Sequence, residues 1–133
     1  MSDPEALRAR AAEVRLSAHA PYSKFKVGAC LRSEDGRLFT GCNVENMAYP
    51  QGQCAEASAI GAMVAAGATR IAEIVVVAEG EALCTPCGGC RQRIAEFATP
   101  ETPVHVGSPD GIRASFTLGE LLPHAFVFDR DEP

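Results

Sequence analysis

Two short cysteine motifs constrain this chain most: Cys-Ala-Glu at positions 54–56 and Pro-Cys-Gly-Gly-Cys at positions 86–90. The second motif has the C-x-x-C spacing that lets two thiolates reach one tetrahedral metal ion. A third thiolate from the first motif leaves the fourth position of a zinc ion open for water, which distinguishes a catalytic zinc site from a structural one. The fold must therefore bring two distant segments to one point. The predicted zinc ligands are Cys54, Cys87 and Cys90.

Each motif stands at the start of a predicted helix. Residues 55–66 form a helical run that ends at Gly67, and residues 91–97 form a second run. Free N–H groups and the positive end of the helix dipole favour thiolate over thiol, so two helix N-termini help offset the charge of three thiolates. Glu56 is about 200° around its helix from Cys54. We expect its carboxylate to lie beside the metal without binding it.

Three further segments extend the pattern beyond the two cysteine motifs. They read Ala-Pro-Tyr-Ser-Lys-Phe-Lys-Val-Gly-Ala at 20–29, Gly-Cys-Asn-Val-Glu-Asn at 41–46 and Glu-Leu-Leu-Pro at 120–123, and the second cysteine motif extends to Thr-Pro-Cys-Gly-Gly-Cys-Arg-Gln at 85–92. Over about Ala20 to Phe126, the chain resembles small cytidine deaminases with three cysteine ligands. The resemblance implies an α/β fold, a three-layer α/β/α sandwich around a five-stranded mixed sheet. It also implies Zn2+ as the cofactor and one domain over residues 1–133.

The resemblance implies a hydrolytic reaction in pyrimidine salvage. Cytidine and deoxycytidine would be converted to uridine and deoxyuridine, with release of ammonia. Zinc lowers the pKa of bound water from 15.7 to roughly 7, so that hydroxide can attack C4 of the cytosine ring at neutral pH. Glu56 is the predicted catalytic residue, which takes the water proton, delivers it to N3 and later protonates the leaving amine.

The predicted substrate contacts also follow from the resemblance. Asn43 and Glu45 match the pair that bonds the ribose hydroxyls, and their i, i+2 spacing points both side chains the same way in an extended strand. Phe25 matches the aromatic that packs beside the pyrimidine, with a core aromatic as the alternative. The backbone carbonyl of Thr85 matches the acceptor for the exocyclic amine, and Ala55 completes the predicted substrate-binding set.

Composition excludes several classes of partner. The net charge of −5 and scattered basic residues argue against nucleic acid, and no apolar run has the length of a membrane span. The N-terminal residues lack an apolar signal core, and six cysteines without a signal fit metal binding in a reducing compartment, which predicts a cytoplasmic protein. The resemblance implies a homotetramer with active sites near subunit interfaces, to which a loop at Tyr49-Pro50 would contribute.

Apolar periodicity and turn residues predict mixed helices and strands. A first helix, capped by Asp3 with Pro4 at its first position, is predicted to run to about Ala18. Strands and their turns lead to a short helix ended by Pro123. The predicted strands cover residues 25–31, 37–43, 71–78, 104–106 and 112–116, and the short helix covers 118–122. This mixture favours a three-layer sandwich.

The chain departs from the family pattern at two positions. Many three-cysteine members have an arginine after Cys-Ala-Glu that helps neutralise the thiolates, whereas Ala57 stands here. The helix N-termini and Arg91 are the candidates for replacing that charge. His124 stands where a small glycine is usual, close to Phe126, an aromatic that in the family often reaches a neighbour's active site.

Other readings of the same residues stay open. A nucleic-acid editing deaminase usually has His as first ligand and a basic surface, and a deaminase of antibiotic nucleosides shares both cysteine motifs. A structural zinc module predicts a fourth protein ligand and leaves Glu56 unexplained. A protein that only binds nucleosides would be expected to lack Glu56, which is present. Cys84, Cys87 and Cys90 are spaced like part of an iron–sulfur cluster motif, but the final Cys-Pro of that motif does not follow. Cys30 and Cys42 are interpreted as small buried hydrophobic residues. The three histidines have no ligand spacing and are interpreted as structural or exposed: His19, His105 and His124.

Overall fold

The computed structural model describes residues 3–127, which contain one mixed sheet and the helices around it. The elements in chain order are α1 Pro4–Arg15, β1 Val27–Ser33, β2 Leu38–Cys42, a 3-10 turn Tyr49–Gln51, α2 Ala55–Ala65, β3 Ile71–Ala78, α3 Gly88–Phe97, β4 Pro103–Ser108, β5 Gly111–Thr117 and α4 Leu118–Leu121. The strand order is β2-β1-β3-β4-β5, with β3 and β4 parallel and the other neighbours antiparallel. The predicted five-stranded mixed sheet is confirmed.

Helices cover both faces of the sheet, which makes three layers. The α1 face packs α1 against β1 and β3, through Leu7, Ala11, Cys30, Val75 and Val77. The α2/α3 face packs α2 and α3 against the sheet, through Ala29, Leu31, Ala59, Met63, Ile74, Ile94 and Val104. Because both faces are covered, β3 is buried along almost its whole length, as its continuous apolar sequence predicts.

Two glycines let the helices approach the sheet closely, one on each face. A Cβ added to Gly28 would overlap the carbonyl oxygen of Ala11 in α1. A Cβ added to Gly41 would lie 2.6 Å from the carbonyl oxygen of Ala55 and overlap the backbone nitrogen of Ala59. The start of α2 therefore rests directly on β2, and this contact fixes where the first cysteine motif stands.

Most boundaries agree with the sequence patterns to within one or two residues, but α3 begins at Gly88, three residues before the predicted run. Asp3 caps α1 by accepting a hydrogen bond from the backbone of Ala6, but the helix ends at Arg15 instead of near Ala18. The first strand begins at Val27 instead of Phe25, because the preceding Lys24 has a left-handed backbone with φ 62°. None of the helices within residues 3–127 has both the length and the apolar character needed to cross a bilayer.

Candidate metal centre

Three thiols from two helix starts come together at one point. Cys54 caps α2, Cys87 caps α3, and Cys90 lies in the first turn of α3. Their Sγ atoms all lie within 4.8 Å of one another. Thiolates bound to zinc at about 2.3 Å lie closer together than that, so the three sulfurs fit one tetrahedral ion with small adjustments. We call these three residues the thiol cluster.

The helix starts and burial act in opposite directions on the thiol cluster. The backbone N–H of Cys90 donates to Cys87 and lowers the pKa of the Cys87 thiol below its usual value. Burial raises the pKa of Cys54 and of Cys90, and Cys90 is fully buried. A divalent cation between the three sulfurs would favour all of them as thiolates. The donor set therefore suits a soft or borderline metal such as zinc.

Glu56 lies in the first turn of α2 next to the thiol cluster, and only 4% of its surface is exposed. Burial raises the pKa of its carboxyl above the usual value, despite the opposing effects of its own backbone N–H and of the charge on Arg93. A carboxyl with a raised pKa can hold a proton closer to neutral pH than an exposed one. It is therefore suited to accept and return protons during a reaction.

The two arginines of α3 have different partners. Arg91, a candidate for the compensating charge, donates to groups other than the thiols. Its guanidinium donates to the carbonyl oxygen of Pro86 at 2.7 Å, to that of Leu121 at 2.8 Å and to Thr85 Oγ1 at 3.1 Å. Arg93, which no sequence motif indicated as a site residue, has Nη1 3.6 Å from Cys90 Sγ. Its i+3 spacing from Cys90 was the available signal.

Asn43 and Glu45 both engage the segment before β1, as their i, i+2 spacing predicts. Asn43 donates through Nδ2 to the carbonyl oxygen of Phe25 at 2.9 Å and accepts from the backbone of Val27 at 2.8 Å. Glu45 accepts from the backbone N–H of residues 22 and 23 at 3.0 and 3.1 Å, and also from the hydroxyl of Ser23. These bonds, those of Ser23 foremost, lower the pKa of the Glu45 carboxyl.

A groove of about 390 Å3 lies beside Glu45. Tyr22 and Tyr49 line it, and their rings meet edge to face with centroids 5.7 Å apart. Tyr49, predicted to contribute to a neighbouring subunit, thus contacts a ring of its own chain. Tyr22 and Ser23 also line the groove. They were not among the predicted site residues, although both lie within the motif at residues 20–29.

The other predicted substrate contacts lie in contrasting surroundings. Phe25 is 43% exposed, which excludes the reading as a core aromatic. Ala55 is fully buried at the first position of α2, directly after a thiol of the cluster. Thr85 lies in the loop before Cys87, where the Arg91 guanidinium fixes its side chain.

A family model matches most of the chain. The family model described as "Cytidine and deoxycytidylate deaminase zinc-binding region" matches residues 1–106. The chain belongs to this family. The expectation of a zinc-dependent enzyme of the cytidine deaminase family is confirmed, and zinc is its cofactor.

Individual deaminases support the assignment over nearly the whole chain. A cytidine deaminase of Sporosarcina psychrophila is 44% identical over 124 residues, which are 93% of this chain and 91% of that protein. A cytidine deaminase of Mycobacterium tuberculosis H37Rv is 38% identical over 123 residues, covering 92% and 89%. The crystal structure of cytidine deaminase from Burkholderia pseudomallei has a TM-score of 0.85 and 44% identity, covering 91% of this chain and 97% of that one. The predicted deaminase sandwich is therefore confirmed.

The remaining cysteines and histidines of this deaminase lie outside the thiol cluster. Burial raises the pKa of Cys30 to about 11, and burial also raises the pKa of Cys84, so neither is a reactive thiolate. Cys42 is half-buried in β2. His105 is buried in a hydrogen-bonded network on the α1 face, whereas His19 and His124 are exposed. Within residues 3–127, three cysteines form the group that can hold a metal, and the fourth ligand expected of a structural zinc module is absent from it.

Proposed function

We propose that this chain hydrolyses cytidine and deoxycytidine to uridine and deoxyuridine with release of ammonia. The observation that supports this most is the position of Glu56, a buried carboxyl in the first turn of the helix that Cys54 caps. One helix start thus supplies both a metal ligand and a proton carrier. The named relatives are cytidine deaminases, and we extend their substrate to this chain.

Cys54, Cys87 and Cys90 are the proposed zinc ligands. When bound, zinc would supply an activated water by lowering its pKa to roughly 7. The sequence places no histidine in this set, and the fourth position stays open for that water. The N-termini of α2 and α3, which point backbone N–H groups at the site, stabilise the thiolates.

Glu56 is the proposed proton carrier of the reaction. Its carboxylate accepts one proton from the attacking water and delivers it to N3 of the pyrimidine. It then takes the second proton of that water from the hydroxyl on C4 and gives it to the exocyclic amine, which leaves as ammonia when the C4–N bond breaks. The raised pKa of Glu56 favours this exchange, because the carboxyl must bind and release a proton twice within one cycle. The sum is one water consumed and one ammonia released per nucleoside.

Five residues are proposed to hold the nucleoside. Asn43 and Glu45 bind the ribose hydroxyls, for which hydrogen-bonding capacity remains: a carboxylate offers about four acceptor positions, and the amide nitrogen has a second N–H. Phe25, exposed beside them, packs on the pyrimidine. The carbonyl of Thr85 accepts from the exocyclic amine, and the backbone of Ala55 completes the contact with the ring.

The free cysteines of the chain support a proposed cell compartment, and its exposed apolar side chains support a proposed assembly. Cysteines without disulfides, such as Cys30 and Cys84, are typical of proteins in a reducing compartment, so we propose a cytoplasmic enzyme of pyrimidine salvage. Large apolar side chains beside the groove are exposed, among them Met47 at 83% and Tyr49 at 74%. Burial of these side chains between copies of the chain would suit the proposed homotetramer, with active sites near its interfaces.

The test is turnover by purified protein loaded with one equivalent of zinc. Cytidine, deoxycytidine, deoxycytidine 5′-phosphate and a cytidine-containing RNA oligomer are supplied separately, and loss of the cytosine absorbance is followed together with ammonia. We expect the two nucleosides to react and the other two substrates to fail, because the acidic Glu45 repels phosphate. Turnover of only the RNA oligomer would contradict the proposal. Turnover of only deoxycytidine 5′-phosphate would show that the substrate is a nucleotide and not a nucleoside.

A further inference from the structure

The three thiolates of the thiol cluster carry negative charge, and this chain lacks the arginine that the resemblance implies beside them. Three thiolates exceed the charge of one divalent cation, and Glu56 adds a further acidic group beside them. Position 57, where the resemblance described above implies an arginine, is Ala57. Excess negative charge in a partly buried site is costly unless a hydrogen-bond donor or a cation lies nearby.

Arg93 is the cationic side chain whose geometry meets this need. It follows Cys90 by three positions on α3, so both lie on the same side of the helix, and helical side chains lean toward the N-terminus. Its Nη1 lies 3.6 Å from Cys90 Sγ, within the range of an N–H donating to sulfur. The guanidinium passes over Gly89, where an added Cβ would lie 3.2 Å from Nη1. The charge of Arg93 also acts on Glu56.

Arg91 is engaged elsewhere, although it is adjacent to Cys90. Its Nε, Nη1 and Nη2 donate to Pro86, Leu121 and Thr85, respectively. These bonds tie the loop before Cys87 to the end of α4. The two arginines of α3 thus divide two tasks: Arg91 shapes the loop, and Arg93 faces the sulfur.

We propose that Arg93 is a positioning and charge-balancing residue of the zinc site, which acts through the Cys90 thiolate and replaces the arginine missing at position 57. This inference rests on the proposed zinc ligands. A hydrogen bond to a ligating sulfur withdraws negative charge from it and fixes its orientation, as partners behind metal ligands generally do. Zinc affinity is therefore the property that Arg93 controls.

The experiment measures zinc affinity by competition with a chromophoric chelator at one fixed pH. The variants are Arg93→Gln, which removes the charge at similar length, Arg93→Lys, which keeps it, and Arg70→Gln, which removes an exposed arginine just before β3. We expect Arg93→Gln to weaken zinc binding roughly tenfold, the lower end of the range for such partners because Arg93 is exposed. Arg93→Lys should lie between it and the wild type, and Arg70→Gln should match the wild type.

Three further measurements separate the possible outcomes. The gap between wild type and Arg93→Gln should shrink at 1 M salt, which a purely structural defect would not show. Circular dichroism of the zinc-free proteins should be identical. Ala57→Arg added to Arg93→Gln should restore affinity. Equal affinity of Arg93→Gln and Arg70→Gln would overturn the proposal, whereas failure of the wild type to bind one zinc per chain, or unchanged binding by Cys87→Ser, would overturn the ligand assignment itself.

Discussion

Within residues 3–127, each face of the sheet buries one glutamate, and the two carboxylates have different surroundings. On the α1 face, Glu73 is 1% exposed, with its Oε2 2.7 Å from His105 Nε2 and its Oε1 3.4 Å from Arg32 Nη2. His105 continues the network through Nδ1 to Ser115 Oγ at 2.7 Å. On the α2/α3 face, Glu56 is almost as buried, and there the effect of burial on its pKa outweighs the effects of nearby groups.

The contrast shows that burial alone does not identify a functional carboxylate. Glu73 lies in a network that joins β1, β3, β4 and β5, and a buried charge in a folded protein usually has such partners. Glu56 lies at a helix start beside three thiols, where burial raises the pKa of its carboxyl. We therefore expect changes at the two residues to affect different properties, activity for Glu56 and stability for Glu73.

The largest expected effect is the loss of turnover in Glu56→Gln. Gln keeps the shape of the side chain but cannot carry the proton, and general acid–base groups contribute about 10²- to 10⁴-fold. We predict that kcat with cytidine falls by about 10³-fold while zinc content and the unfolding midpoint stay close to wild type. Steady-state absorbance assays measure kcat, metal analysis measures zinc content, and thermal denaturation measures the unfolding midpoint. An unfolded Glu56→Gln variant would remove the support for the contrast with Glu73.

Glu73→Gln should give the opposite pattern. The substitution replaces the charge that pairs with Arg32 and His105, and charge-assisted hydrogen bonds of this kind are each worth about 1.5–3 kcal/mol. We predict a free energy of unfolding lower by about 2 kcal/mol, measured by urea denaturation, with kcat unchanged at temperatures where the variant is folded. A fall in kcat as large as that of Glu56→Gln would erase the distinction between the two faces.

The two glycines at the helix contacts offer a matched pair on the two faces. Gly28→Ala pushes on α1, and Gly41→Ala pushes on the start of α2. Both should lower the free energy of unfolding, by about 1–3 kcal/mol, because each added methyl group overlaps helix backbone. Only Gly41→Ala should also lower kcat/KM, since α2 positions Cys54 and Glu56. Equal losses of kcat/KM in the two variants would mean that the face does not matter.

The smallest effect is expected at the groove. Ser23→Ala removes the bond that contributes most to the lowered pKa of Glu45, so that pKa should rise toward its usual value. The lowered pKa of Glu45 stabilises the folded chain at pH values above the pKa that this carboxyl has in the unfolded chain. This stabilisation is lost as the pH falls through the pKa of the folded state, so Ser23→Ala should narrow the pH range between the two pKa values. NMR titration of the Glu45 carboxyl carbon measures the shift. An unchanged pKa would show that Ser23 is not its main partner.

The regular elements were the most predictable part of the chain. The apolar run at 71–78 gave β3 its bounds without error, and the cysteine motifs predicted two helix starts at one point. The start of β1 was predicted too early, because periodicity does not reveal the left-handed backbone at Lys24 that separates Phe25 from the strand.

Side-chain partnerships were less predictable than the elements that bear them. Arg91 and Arg93 look equivalent in sequence, yet tertiary contacts send one to a loop and the other to Cys90. Glu73 is a single acidic residue in an apolar strand, and its partners come from strands far apart in the chain. Such pairings depend on sheet register, which a local pattern does not encode.

The most direct test of the account compares zinc-loaded wild type, Glu56→Gln and Glu73→Gln in one cytidine assay at a temperature where all three are folded. The account predicts that wild type and Glu73→Gln consume cytidine at similar rates and release equal amounts of ammonia, while Glu56→Gln shows almost no turnover. Near-normal turnover by Glu56→Gln with full zinc content would contradict the central claim that this buried carboxyl carries the proton.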